Sequence, residues 1–286
     1  MTTTQLNRKL GSAPIRRNLD PADRGKWKRF WLLIAIAAVA LVPIAGTFVL
    51  SLRGNNGTGD FTLENFVHVI VDTQVVAWLL NSLQVTLATV VVSVLVAAPA
   101  GYVLSRGRSR LVEGYSLLLF VIQSLPVITS VIPLFILFSG MGLADNLIGI
   151  TVLYVGSSMS VATWMMASYM DGIPGSLEEA SWIDGASVFG SFWHIVLRNS
   201  LPGILSTAIF TFLMAWNDYL VASIFLRSSG TFTLPIGVQT FFQQHSTDWG
   251  SVMAVAVIMM LPPALVFATM NKYFSVGGVA GSLAGR

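Results

Sequence analysis

The residues able to do chemistry are few and unevenly placed. The 286-residue chain holds 13 acidic side chains, three histidines and no cysteine. His68, His194 and His245 each stand alone in sequence, without the spacing of a metal site. No G-x-x-x-x-G-K-[ST] run cradles a nucleotide's phosphates, and no G-x-S-x-G elbow exposes a nucleophile. The chain reads as no enzyme in its own right, binding no cofactor itself. Its polar chemistry gathers instead in one stretch, Asp171 to Pro202, between two long apolar runs. There Glu178 and Glu179 place negative charge at the start of an expected helix, where it complements the helix dipole. The other carboxylate that stands out is Asp218, an acid inside an otherwise apolar run and so a functional position by default.

Two short helices have to position the polar stretch. Ser176-Leu177-Glu178-Glu179 has the S-x-x-E form of a capping box, which predicts a helix start at Ser176. Leu177, Ala180, Ser181 and Asp184 then share one face by the three-or-four spacing. Gly185 is the expected stop, since glycine takes the left-handed cap conformation cheaply. Ser187 is placed to cap a second helix carrying Val188, Phe189, Phe192, Ile195 and Val196, and Pro202 opens the next apolar run. Two short helices hinged at a glycine make a knob small enough for another protein's groove.

Around this knob the composition is that of a membrane protein: 54% hydrophobic and only 10% charged, against about 25% charged in a soluble domain. An all-α polytopic protein with six transmembrane helices is expected. Residues 1–29 form a basic tail, near enough to the bilayer to meet anionic lipid. Residues 30–52 are a first span and 53–74 an external loop. Residues 75–274 hold five more spans, with the 171–202 loop among them, and 275–286 are a glycine-rich tail. The third span, within Gly114–Ala144, contains Pro126 and Pro133, each expected to bend it. The fifth runs from Leu201 to Leu226 with a break at Trp216-Asn217-Asp218, and the sixth from Trp249 to about Lys272. Six spans put both termini on one side, and 14 of the 16 basic residues fall there. Only Arg53 and Arg227 lie opposite, so both termini and the 171–202 loop are expected in the cytoplasm. The net charge of +3 comes from this asymmetry and does not indicate nucleic acid. Asn81, Gln84, Thr129, Ser130, Ser157, Ser158 and Thr163 are polar within spans. They either line a hydrated path or bond helix to helix. Trp78, Trp164 and Trp249 suit a membrane-interface belt or stacking on a sugar ring.

Glu179-Ala180-Ser181, Gly185, Ile195 and Leu201-Pro202 resemble the "EAA" loop of binding-protein-dependent ABC importer permeases, with serine in the third position where that family has alanine. The resemblance extends over roughly residues 75–286 and is strongest to the carbohydrate-type permeases, in particular the second permease of maltose-type importers. It is carried by Asn81-Ser82, Ile132-Pro133-Leu134-Phe135, Gly142-Leu143-Ala144-Asp145-Asn146 and Trp216-Asn217-Asp218-Tyr219. Asp248-Trp249-Gly250, Met253-Ala254, Lys272-Tyr273-Phe274 and Gly277-Gly278-Val279-Ala280-Gly281 complete it. The basic N-terminal tail is longer than that family needs.

The resemblance implies a type I ABC importer permease in a bacterial inner membrane, one half of a heterodimer with a second permease subunit. Two ATPase subunits, carrying ATP and Mg, would dock on the knob through Glu178, Glu179, Ala180, Asp184, Gly185, Ala186, Phe189, Ile195 and Pro202. Gly277, Gly278 and Gly281 would make a second contact with them. An extracytoplasmic sugar-binding protein would meet the Arg227–Asp248 loop. Asn81, Ser130, Ser158, Asn217 and Asp218 are the candidate pathway residues. A di- or oligosaccharide is the implied cargo. The alternatives are a permease of the same superfamily for glycerol phosphate or a polyamine, and an ion-coupled secondary transporter. The latter usually carries inverted repeats, of which none is evident.

Overall fold

The computed structural model describes residues 25–54, 59–242 and 247–283, of which 271–283 are described as backbone only. Most of the basic tail, His245 and Arg286 therefore lie outside the described residues. In a bilayer the backbone has no water to bond, so long apolar runs satisfy their peptide groups internally as helices. Among the described residues the pairings outside helices are two isolated bridges, Arg53 with Phe61 and Phe242 with Thr247.

The chain divides into one unit ending at Gly46 and another beginning at Thr47. Most of α1 (Lys26–Ser51) belongs to the first; its 26 residues extend about 39 Å, enough to cross a bilayer. The second unit opens with α2 (Glu64–Val71), a short helix inside the expected 53–74 loop. It continues through α3 (Val75–Arg106), α4 (Arg110–Ser124), α5 (Val127–Gly140) and α6 (Leu147–Asp171). The knob helices α7 (Ser176–Ile183) and α8 (Val188–Asn199) follow. Then come α9 (Leu201–Trp216), α10 (Leu220–Phe225), α11 (Leu234–Val238) and α12 (Trp249–Leu283). Among the described residues four helices are long and apolar enough to span alone, and the number is six if each of the two bent pairs, α4 with α5 and α8 with α9, counts as one span.

Two expectations change. The third span is not one bent helix: α4 and α5 meet at 96°. Leu125 and Pro126 are both extended there, because a residue before proline is driven out of the helical region. Pro133, by contrast, lies inside α5 without breaking it. The last helix does not stop near Lys272 but runs to Leu283, so Gly277, Gly278 and Gly281 lie on helical backbone.

The bundle is built on α3 and α6, its most extensively packed pair. Their seam is made of small residues. A Cβ at Gly101 would come 2.6 Å from Cβ of Met166 and 2.9 Å from the Ala167 nitrogen. Ala97, Ala98 and Ala162 are buried beside it, and the Ser93 and Ser158 hydroxyls meet at 2.8 Å. Close approach through small residues is how helices associate in lipid, where no hydrophobic effect drives them together. The helix α3 contributes to all three buried clusters, through Val85, through Val75 and Trp78, and through Ala97 and Ala98.

At its N-terminal end α3 holds the 226–242 loop. Trp78 Nε1 donates to the Ser229 carbonyl at 2.9 Å, and Asn81 Nδ2 to the Gly230 and Phe232 carbonyls, each at 2.9 Å. The Leu234 N–H donates to Ser82 Oγ at 2.7 Å. Asp145, in the α5–α6 turn at φ 52°, clamps the loop from the other side. Its carboxylate accepts from the N–H groups of Arg227 (2.9 Å) and Ser228 (3.0 Å), the Thr231 hydroxyl (2.6 Å) and the Ser228 hydroxyl. The Asp145 N–H donates to the Phe225 carbonyl at 2.8 Å. Burial alone would raise the Asp145 pKa, but these bonds favour the charged form and hold it well below the ordinary carboxylate value.

Two outcomes follow. Gly101→Ala should lower the unfolding free energy by about 1–3 kcal/mol through overpacking. Gly114→Ala, with nothing within 4 Å of the new methyl, should leave it unchanged or raise it by up to about 1 kcal/mol. Thermal unfolding in detergent compares them. The lowered Asp145 pKa means that its stabilisation is complete above the ordinary value of 3.8 and is lost as pH falls through the folded value. Limited proteolysis of the 226–242 loop should therefore be flat from neutral pH to about pH 5, while Asp145→Asn should raise cleavage at neutral pH.

Candidate functional site

The knob's first helix starts at Ser176 and stops at Gly185 as the sequence suggests, but without the expected side-chain cap. Gly185 adopts φ 88°. Its N–H donates to the Trp182 carbonyl at 3.0 Å, and the Ala186 N–H reaches back to Ser181 at 2.9 Å. This is the paired-bond glycine cap that ends a helix by reversing the chain. Ser187 caps α8, its Oγ accepting from the Gly190 N–H at 3.1 Å. Ser176, however, caps nothing: Gly175 holds the cap position, without a side-chain bond. The Pro174 carbonyl already accepts from the Leu177 N–H, so Ser176 falls inside the first turn.

The face that turns inward is that of Glu178, not the one shared by Leu177, Ala180 and Asp184. Glu178 is 2% exposed and Ser181 half-buried, while Leu177, Ala180 and Asp184 face out. A buried carboxylate is costly unless paired, and Glu178 is fully engaged. Tyr102 donates to its Oε2 at 2.7 Å; Arg106 meets Oε1 through Nε at 2.8 Å and Nη2 at 2.7 Å. Arg106 Nη2 also donates to the Ile173 carbonyl at 2.9 Å, and Ser105 donates to Asp171 Oδ1 at 2.5 Å. The expectation that Glu178 contacts an ATPase is thereby corrected: it faces the last turns of α3. Ser181, the serine in place of alanine, donates to Ser191 Oγ at 2.9 Å and ties α7 to α8.

A π turn at Phe192–Val196 rotates the α8 face. Phe192 and Val196 enter the core while Ile195 is half-buried. Outside stands an apolar ridge: Ile183 is 87% exposed and Phe189 72%. Val188 and Trp193 are exposed beside them, with Phe189 and Trp193 stacked at 6.4 Å. Glu179, Ala180, Asp184, Gly185 and Ala186 are exposed around it, and Pro202 is half-buried. The sequence reading missed Ile183 and Trp193, whose outward direction depends on the glycine cap and the π turn.

The candidate pathway residues separate. Ser158 and Asp218 line one cavity of about 400 Å³, with Thr89, Tyr154, Ser157 and Thr211. Tyr154 donates to Asp218 Oδ1 at 2.7 Å, and the Ala222 N–H donates to the same oxygen at 3.0 Å. Ser130 lines an adjoining cavity of about 310 Å³ that shares Val127, Ser157 and Met214. The 96° break at Pro126 opens the first of these, since Pro126, Val127 and Ile128 form its wall. Asn217 is elsewhere, beside Met259 and Pro263, and bonds its own helix at Leu213. Asn81 anchors the 226–242 loop, as described above, and is not brought to the cavities.

The profile of the family described as "Binding-protein-dependent transport system inner membrane component" matches residues 93–276, more than half of the chain. The inner membrane ABC transporter permease protein YcjP of Escherichia coli is 31% identical over 227 residues, covering 79% of this chain and 81% of that protein. The maltodextrin transport system permease protein MalD of Streptococcus pneumoniae is 29% identical over 258 residues, covering 87% and 92%. The fold is similar to that in a crystal structure of a bacterial ABC transporter involved in the import of the acidic polysaccharide alginate. There the TM-score is 0.75 at 22% identity, with 89% of this chain and 98% of that one covered. The chain thus belongs to the inner membrane components of binding-protein-dependent transport systems, as a multi-pass ABC importer permease.

Proposed function

We propose that this chain forms one half of the permease pair of an ATP-driven sugar importer. One observation carries the coupling role: the exposed ridge of Ile183, Val188, Phe189 and Trp193 on a knob whose other face is bonded into the bundle. An apolar patch rimmed by charge, here Glu179 and Asp184, is the pattern of a protein interface. The basic asymmetry of the sequence puts this patch in the cytoplasm, where an ATPase subunit binding ATP and Mg docks on it. The second permease subunit brings an equivalent knob to a second ATPase. The C-terminal glycines Gly277, Gly278 and Gly281 make an auxiliary contact. On the far side the clamped 226–242 loop receives the extracytoplasmic binding protein. The Asp218–Tyr154 cavity lines this chain's share of the pathway.

A sugar cargo is supported by relatives named as maltodextrin and alpha-glucoside transport permeases, the latter 34% identical. The cavity offers such a cargo the Asp218 carboxylate as an acceptor beside apolar walls, its hydroxyls at Thr89, Tyr154, Ser157 and Ser158 being bonded within the chain.

Co-purification in mild detergent tests the docking. Wild type should bring an ATPase with it, and Phe189→Ala should reduce the amount at least about tenfold, a loss of 1.4 kcal/mol or more. Equal retention would remove the ridge from the interface. Uptake should stop on ATP depletion and persist with an uncoupler; the reverse would indicate an ion-coupled carrier. Asp218→Leu should slow uptake while leaving ATPase retention at the wild-type level.

A further inference from the structure

We infer that Glu178, Arg106 and Tyr102 are positioning residues that bolt α3 to the knob, so that a displacement of the knob reaches the 226–242 loop through α3. The inference rests on the knob being the ATPase-docking element. By chain continuity the knob is joined only to α6 before it and α9 after it. Its connection to α3 crosses 72 residues of sequence and is made by side chains. The bolt has three donors on one buried carboxylate, and its planar guanidinium fixes direction as well as distance. It engages both knob helices: Glu178 belongs to α7, and the Tyr102 ring lies 4.8 Å from that of Phe192 in α8. Arg106 also takes in the Ile173 carbonyl between α6 and α7. Without these bonds the seam with α6 and the apolar contacts of Ala97 and Ala98 with Phe192 and Val196 would still hold α3 near the knob but would not fix its register.

The opposite end of α3 is fastened to the 226–242 loop by Trp78, Asn81 and Ser82. The helix between the two fastenings belongs to a single element of 32 residues, about 48 Å long. Pro99 removes one backbone bond from it, but in the segment where Ala98 and Gly101 press on α6. A stiff element held at both ends has one position for each knob position. Linkage makes the coupling reciprocal: whatever biases the loop must bias the knob by the same free energy. The two neighbouring glutamates thus divide the labour, Glu179 facing the partner and Glu178 facing α3.

The test uses the complex assembled with its second permease and its ATPases. The chain has no cysteine, so Gln239→Cys, with the partner subunits in cysteine-free form, gives a single labelling site in the exposed part of the loop for a spin label or fluorophore. In this background ATP with Mg should shift the label signal. Glu178→Gln should keep the ATPase bound and hydrolysing but abolish the shift. The charge swap Glu178→Arg with Arg106→Glu should restore part of it, which a loss of folding would not allow. Glu179→Gln should instead weaken ATPase retention. A wild-type shift in Glu178→Gln, or ATPase loss equal to that of Glu179→Gln, would overturn the bolt. Where Glu178→Gln fails to accumulate, Arg106→Lys, which keeps the charge but loses the planar fork, is read in its place; an undiminished shift there also refutes it. A wild-type chain that retains no ATPase would refute the docking reading instead, a distinct outcome.

Discussion

The structure depends on how closely α3 and α6 approach. In lipid two apolar helices gain little by hiding from their surroundings, so contact must come from packing and from hydrogen bonds. Gly101, Ala97, Ala98 and Ala162 bring the backbones together, and Ser93 with Ser158 adds a polar link inside the seam. The remaining elements are laid on this pair. The helix α9 joins it through Gly203, where a Cβ would stand 2.4 Å from the Tyr169 ring. The knob is an extension of α6 folded back onto the last turn of α3.

The buried Glu178–Arg106 pair needs a reason beyond stability. Replacing a buried ion pair with apolar groups is often neutral, whereas removing one partner costs about 3–5 kcal/mol. Such a pair adds direction. An apolar contact between α7 and α3 would tolerate sliding, but a carboxylate fixed by a guanidinium and a phenol does not. Asp145 makes the same argument on the far side, where one carboxylate gathers four donors and fixes the start of a loop whose Leu234, Ile236 and Phe241 are buried in the bundle. The cavity lined by Ser158 and Asp218 takes its walls from α3, α5, α6, α9 and α10.

Helix breaks serve the site. At Pro126 the missing N–H and the restricted preceding residue turn the chain through 96° and leave a wall of the cavity. At Gly185 the left-handed conformation turns α8 back against α7. The π turn in α8 then buries Phe192 and Val196 while Phe189 and Trp193 face out.

The sequence by itself determined the class of protein, its all-helical multi-pass character, the knob with its glycine stop at Gly185 and serine cap at Ser187, and the family. Those features rest on local chemistry and composition: charge-free runs, a left-handed glycine and a hydroxyl beside free N–H groups. The sequence also marked Asp218, because a lone carboxylate in an apolar run is conspicuous at any register. Only the tertiary structure decided which way each polar side chain faces. Glu178 and Glu179 are neighbours of one type, yet a rotation of about 100° per residue sends one to Arg106 and the other to solvent. Asn81 and Asp145 carried no sign of their partners, which lie 149 to 151 and 82 to 86 residues away. Such pairings depend on helix packing, and packing in lipid is set by the fit of small side chains rather than by a hydrophobic pattern that can be read along the chain.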